Sequence, residues 1–297
     1  MKNILVTGAT SFIGQYLIAE LLNDSNNIIY ALVRPNSKHK NNLIKFKNVN
    51  IIEIDMKNIA ILPQKINKID ICFHLAWDGT RTLERYDEKL QQSNYMNSIA
   101  LYDALVKLEC KVFIGIGSQA EYGFNDGIIT EETETKPNTA YGKYKLFVCN
   151  KIMESSLKDN IRFIWGRVFS IYGKGDNDNT LLMTSIKRMK NNEVIDMTLG
   201  TQYWNYLYVE DLAKILVILA KNIKAHGIYN LASDDTRKLK FYIEEIKNIL
   251  KSKSIVNFGA VPYRQEGVVN IRPDISKLMM YVNGFKFSKF ADAILKI

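Results

Sequence analysis

Two glycines six residues apart, Gly8 and Gly14, separate a short apolar run from a longer one with helical spacing, and they constrain this chain more than any other feature. Lys2-Asn-Ile-Leu-Val-Thr7 predicts a strand, and residues 12–22 predict a helix. In a strand, turn, helix unit the first glycine allows the tight turn and the last lets the helix pack closely on the strand. The N–H groups of the helix N-terminus then face an anion. Ser11 stands where a dinucleotide fingerprint has its middle glycine. Serine is small and caps a helix well, so the stretch still reads as a pyrophosphate cradle.

The alternation continues. Residues 28–33, 49–54, 69–74, 111–116 and 161–169 predict further strands, with a long helix near 86–108 and another starting at Tyr141. The expected fold is α/β, a Rossmann-type doubly wound parallel sheet whose ligands bind beyond the C-terminal strand ends. After Asp176 the rhythm loosens into a helix over about 180–190, short strands and loops, before a helix at 209–219 and a strand at 227–231. The expected division assigns residues 1–170, plus about 205–235, to a dinucleotide-binding domain. Residues 171–204 and 236–297 then form a smaller, discontinuous α/β substrate domain.

Composition narrows the partners. With 297 residues, 47% hydrophobic and 24% charged, the chain can bury a sizeable core. The net charge of +9 comes from dispersed lysines without a nucleic-acid motif, which predicts no nucleic-acid partner and leaves room for an anionic small substrate. Cys72, Cys110 and Cys149 lie in apolar runs without metal-ligand spacing, so buried free thiols, no metal and a reducing cytoplasm are expected. The N-terminus enters a strand at once, and no stretch approaches the ~18 apolar residues of a membrane span. Neither secretion nor membrane insertion is expected.

Tyr141 and Lys145 supply the chemistry. They share one helical face, and a cation beside a phenol favours the phenolate, whose ordinary pKa is near ~10. Ser118 lies just beyond the fifth strand's end, where its hydroxyl can hold a substrate oxygen beside that phenol. Arg34 follows the second strand where an NAD site has a carboxylate for the ribose 2′-hydroxyl. An arginine there suits a 2′-phosphate, which favours NADP(H) over NAD. Asp55 ends the third strand, placed to meet the adenine. His74 reads as a packed, hydrogen-bonded structural histidine.

Taken together, Thr7-Gly-Ala-Thr-Ser-Phe-Ile-Gly14, His74-Leu-Ala76, Asn94, Ser118, Tyr122-Gly123, Tyr141-x-x-x-Lys145 and Tyr208-Val-Glu-Asp211 resemble the extended short-chain dehydrogenase/reductases that act on nucleotide sugars, the NAD-dependent epimerase/dehydratase type. The match is collinear over nearly the whole chain. The resemblance implies that Ser118, Tyr141 and Lys145 are catalytic. Tyr141 exchanges the proton, Lys145 lowers its pKa and holds the nicotinamide ribose, and Ser118 orients the sugar oxygen. It also implies cofactor contacts at Gly8, Thr10, Ser11, Phe12, Ile13, Gly14, Arg34, Asp55, Met56, Leu75, Ala76, Trp77, Asn94 and Val168, besides Tyr141 and Lys145. Substrate contacts are implied at Asp78, Ser118, Gln119, Glu121, Tyr122, Ser170, Trp204, Arg264 and Glu266. Trp204 stands where many relatives carry an arginine for the nucleotide diphosphate, a role that Arg264 is expected to take, with Glu266 beside it.

Departures narrow the subfamily. Gln119 and Ala120 replace the acidic pair of sugar 4,6-dehydratases, and Ala120 replaces the cysteine of GDP-fucose synthases. Leu75-Ala-Trp-Asp-Gly-Thr80, Gly117-Ser-Gln-Ala-Glu-Tyr-Gly123 and Val261-Pro-Tyr-Arg-Gln-Glu266 are most similar to the CDP-abequose synthase-like 4-ketoreductases. That resemblance implies NADPH-dependent reduction of a CDP-, dTDP- or GDP-linked 4-keto-6-deoxy sugar, in deoxysugar and surface polysaccharide synthesis. It also implies a homodimer that pairs the 86–108 helix and the helix after Tyr141 with their symmetry mates. An NAD-dependent 4-epimerase using the same three residues is the alternative, and a non-catalytic dinucleotide sensor is a third reading.

Overall fold

β1 (Lys2–Thr7) goes straight into the interior, where Ile4 and Val6 join one hydrophobic core and Leu5 joins another. Successive strand residues point to opposite faces, and both faces of a parallel sheet are covered, so its strands read as unbroken apolar runs. The computed structural model describes residues 2–44, 46, 48–263 and 269–297. From β1 the chain continues through α1 (Phe12–Leu21), β2 (Asn27–Val33), α2 (Asn41–Ile44), β3 (Val49–Glu53), β4 (Ile71–His74), α3 (Glu88–Lys107), β5 (Val112–Ser118), α4 (Ala140–Lys158) and β6 (Arg162–Val168). The remainder is β7 (Ser170–Tyr172), α5 (Leu181–Lys190), β8 (Ile195–Met197), β9 (Tyr203–Tyr208), α6 (Val209–Lys221), β10 (Gly227–Leu231), β11 (Thr236–Lys238), α7 (Leu239–Ile249), β12 (Val256–Phe258), α8 (Ser276–Tyr281) and α9 (Phe290–Ile294).

Seven strands form one parallel sheet in the order β10-β6-β5-β4-β1-β2-β3. This is the doubly wound dinucleotide-binding order with β10 added beyond β6. On one face Leu17 and Ile18 of α1 pack with Leu212 and Leu216 of α6. On the other, Leu101 and Leu105 of α3 pack with Val148 and Ile152 of α4. Among the described residues no helix is long and apolar enough to cross a membrane. The three cysteines are buried and free.

The second part of the chain builds a three-stranded sheet, β11-β9-β7, and a two-stranded one, β12-β8. With α5, α7 and α9 they enclose an aromatic cluster in which Tyr206 and Phe290 approach Tyr242 to 5.1 and 5.0 Å between ring centres. The sequence reading returned the chain to the first domain at about residue 205. β9 instead lies in the three-stranded sheet, and the return starts at α6. A short aromatic strand carries no mark of which sheet takes it, which is why the boundary falls later than its pattern suggested. β5 also runs past residue 116 to Ser118, because Gly115 and Gly117 leave room for the Trp165 ring of β6.

Candidate active site

The strand order reverses between β1 and β4, and a crevice opens beyond their carboxyl ends. Gly8 turns the chain there with φ of 65°, and a Cβ on it would stand 2.8 Å from the Ala76 nitrogen. A Cβ on Gly14 would stand 2.3 Å from the Gly8 carbonyl oxygen. Ser11 caps α1 by accepting from the Gly14 N–H at 3.1 Å. Thr7 Oγ1 accepts from the Leu75 and Ala76 N–H groups, which commits its own proton to His74 Nδ1 at 2.8 Å. His74 Nε2 then donates to Ser98 Oγ at 2.9 Å, and Ser98 donates to the Asn94 carbonyl oxygen. Burial, aided by the nearby Lys145 charge, pushes the His74 pKa down to about 3, so this neutral imidazole ties β1, β4 and α3 together.

A groove of about 620 Å³ opens on these strand ends. Gly8, Thr10, Ser11, Arg34, Asp55, Met56, Leu75, Ala76, Trp77 and Asn94 line it. Asp55 also caps the following 3-10 helix through the Lys57 N–H at 3.0 Å. The glycine approach, the capped helix end and the groove together fit a dinucleotide. Besides Tyr141 and Lys145 on α4, four residues assigned to the cofactor stand outside its lining. Gly14 packs beneath the turn, Phe12 lies edge-on to Tyr16, and Ile13 and Val168 pack in the first core. Asp78, assigned to the substrate, lines this groove instead and pairs with Arg34 at 3.3 Å across its mouth.

Thr139 caps α4 and sets Tyr141 in its first turn, one turn before Lys145. The Ser118 hydroxyl accepts from the Ala120 N–H at 3.2 Å and lies near the phenol. Burial raises the Tyr141 pKa, while the nearby Ser118 hydroxyl and the Arg85 charge pull it back. Lys145 Nζ donates to the Ile116 carbonyl oxygen at 2.6 Å and stands 3.8 Å from the Trp77 ring centre, against 5.9 Å from that of Tyr141. Burial lowers the Lys145 pKa to about 7, partly opposed by Glu121. Arg85, by contrast, lies 4.7 Å from the Tyr141 ring centre. Among the described residues no group of three or more His, Cys, Asp or Glu side chains could hold a metal ion.

The NAD dependent epimerase/dehydratase family model matches residues 4–232. The chain belongs to this family. The CDP-abequose synthase of Salmonella muenchen is 29% identical to it over 286 residues, covering 93% of this chain and 90% of its own. The dTDP-6-deoxy-L-talose 4-dehydrogenase (NAD(+)) of Aggregatibacter actinomycetemcomitans is 26% identical, covering 82% and 88%. The structure of a UDP-N-acetylglucosamine 4-epimerase from Methanobrevibacter ruminantium M1, in complex with UDP-N-acetylmuramic acid, shares the fold with a TM-score of 0.87 at 23% identity. It covers 99% of this chain and 96% of its own.

In this epimerase/dehydratase chain the loop after Ser118 departs from its sequence assignment. Glu121 is fully buried, and its carboxylate accepts from the Ser118 N–H, Trp165 Nε1 and Arg167 Nε. Tyr122 is buried beneath the Arg167 guanidinium and donates to Asn230 Oδ1 at 2.6 Å. Neither has a polar group free for substrate; both hold the loop in place. The 3-10 turn Gln119–Glu121 aims the two ends of this short segment differently, so Gln119 stays half-buried with its Oε1 unpartnered among the described residues. Trp204 Nε1 is likewise buried without a partner, and Ser170 opens β7 opposite Tyr206. Arg264 and Glu266 lie outside the described residues.

One residue that the sequence reading passed over and one that it assigned to the cofactor organise this family member's site. Gln91, fully buried on α3, accepts from Trp77 Nε1 at 2.7 Å and donates to the carbonyl oxygens of Gly79 and Glu84. It thereby fixes the ring beneath Lys145 and the turn that carries Arg85. Asn94, one turn on, clasps the Asp78 backbone with both ends of its amide. Gln91, Asn94, Ser98, Leu101 and Leu105 share the buried stripe of α3. Polar residues on a core-facing stripe need partners, and that was the available signal.

Proposed function

We propose that this chain reduces a nucleotide-linked 4-keto-6-deoxy sugar with NADPH. The observation that carries the reading is Tyr141, one turn before Lys145 on α4 and under the Arg85 guanidinium, beyond a dinucleotide groove in which Arg34 rather than a carboxylate follows β2. Bound nicotinamide supplies the hydride. Tyr141 gives its proton to the oxygen formed at the reduced carbon, and Ser118 holds that oxygen beside the phenol. Lys145, between the Ile116 carbonyl and Trp77, is the candidate to meet the nicotinamide ribose. Gln119 and Ala120 offer no acid after Ser118 for eliminating water. The similarity to CDP-abequose synthase supports a CDP-linked substrate, with dTDP- and GDP-linked sugars next, and Arg264 is proposed for the diphosphate.

We assign the sugar to the part of the chain built on β7, β9, β11 and α7, and propose a homodimer through α3 and α4. Met96 and Val106 on α3, and Phe147, Met153 and Leu157 on α4, leave apolar side chains exposed, as such an interface requires. A mass near the 34.1 kDa monomer in light scattering would remove the dimer. The activity is tested by incubating the protein with NADPH and CDP-, dTDP- and GDP-linked 4-keto sugars while following absorbance of the reduced cofactor. Bound NAD⁺ with interconversion of 4-hydroxy epimers and no NADPH consumption would replace this reading by the 4-epimerase.

A further inference from the structure

Arg85 lies in the 3-10 turn Thr82–Tyr86, and its guanidinium rests against the Tyr141 ring. Its Nε is buried without a hydrogen-bond partner among the described residues. The turn is held from below, because Gln91 Nε2 donates at 3.0 Å to the carbonyl oxygen of Glu84, the residue just before Arg85. The same amide fixes Trp77, whose ring receives the Lys145 ammonium. One buried glutamine therefore sets two cations around one phenol.

The two cations are not equivalent. Lys145 is committed to the Ile116 carbonyl and the face of Trp77, and with its pKa near 7 its charge varies across neutral pH. A guanidinium keeps its charge at any working pH and lies well on aromatic faces. The groups that face Tyr141 come from every element around it. Ser118 approaches the phenol from the end of β5, Glu121 opposes its ionisation from the next turn, Lys145 lies on its own helix, and Trp77 meets its ring edge-on at 6.2 Å. Among the described residues Arg85 is the cation closest to the ring.

We propose that Arg85 is a positioning residue for Tyr141: laid on the phenol, it supplies the fixed positive charge beside the proton-transfer group, and its unpartnered Nε–H is the donor for a hexose oxygen of the bound nucleotide sugar. The hexose contact rests on the proposed reductase reading. The charge on the phenol does not.

The two parts separate experimentally. In protein carrying ¹³Cζ-tyrosine, the resonance lost in Tyr141→Phe identifies Tyr141, and its titration is followed in the parent, Arg85→Met and Arg85→Lys without any sugar. Arg85→Met is expected to raise the titration midpoint by about one unit or more, and Arg85→Lys to restore most of it. Arg85→Gln serves in place of Arg85→Met if the latter does not fold. In the NADPH assay the pH profile of kcat should move with the midpoint, while KM for the sugar rises several-fold in both variants, because an ammonium does not reproduce the Nε–H. A Tyr141 midpoint unchanged by removing the charge overturns the proposal. A parental KM in Arg85→Lys overturns the hexose contact. If no 4-keto sugar is reduced, the reductase reading fails and the titration alone still decides whether Arg85 acts on Tyr141.

Discussion

Glu121 and Arg167 meet inside the protein, Oε2 to Nε at 2.8 Å, with side-chain exposures of 0% and 3%. Removing one charge of a buried pair leaves the other uncompensated, at a cost of about 3–5 kcal/mol. Glu121→Gln is therefore expected to lose stability on that scale in urea unfolding, with cofactor affinity of the folded fraction nearly unchanged. A stable variant with raised KM would return Glu121 to the substrate.

Tyr141→Phe keeps the ring against Trp77 and removes only the transferable proton. Turnover should fall about 10²–10⁴-fold, the range for a positioned general acid, while NADPH affinity by fluorescence titration stays near the parent's. Turnover at the parental rate would rule out the phenol as the acid.

Lys145 links stability to pH. Its pKa falls from 10.5 to about 7 on folding, so between those values the unfolded chain binds more protons than the native one. Stability from this group therefore increases as pH rises through that window and is lowest below it. Comparing parent with Lys145→Met in denaturant, without cofactor, the difference should shift in the parent's favour by up to a few kcal/mol between about pH 7 and 10. A difference flat with pH would show an ammonium of ordinary affinity.

Arg34 and Asp78 are both largely exposed, so their ion pair is worth little in itself, but it occupies the arginine expected to meet a 2′-phosphate. Arg34→Ala should weaken NADPH binding by ~1–2 kcal/mol and leave NADH almost unaffected. Asp78→Asn should strengthen NADPH binding slightly by releasing the guanidinium. Equal losses for both cofactors in Arg34→Ala would make the arginine structural.

What could be read beforehand follows the physics of each feature. Buried parallel strands announce themselves as apolar runs, so β1 to β6 stood out. Gly8 and Gly14 declare a backbone approach that nothing larger tolerates. His74 lies at the end of an apolar strand, where a packed role is the natural one. Arg85 is different, because only tertiary folding lays it on Tyr141, and its local segment looks like any solvated turn. Glu121 failed for another reason. In a three-residue 3-10 turn the direction of each side chain depends on what packs around it, and Trp165 and Arg167 lie on a separate strand. Asp78 sits one residue from Trp77, too close for sequence to divide cofactor from substrate.

β10 takes the edge position beside β6 only after the chain has built β7, α5, β8, β9 and α6. A fragment ending at β6 would leave that edge unpaired and the apolar side of α1 without its α6 neighbour, a poor candidate for independent folding. The part built on β7, β9, β11 and α7 cannot be exchanged as a cassette through one cut and splice, since any graft must keep the excursion after β6 and its return through α6 in register. Within this architecture, new specificity is reached more readily by substitution inside existing loops than by trading whole modules.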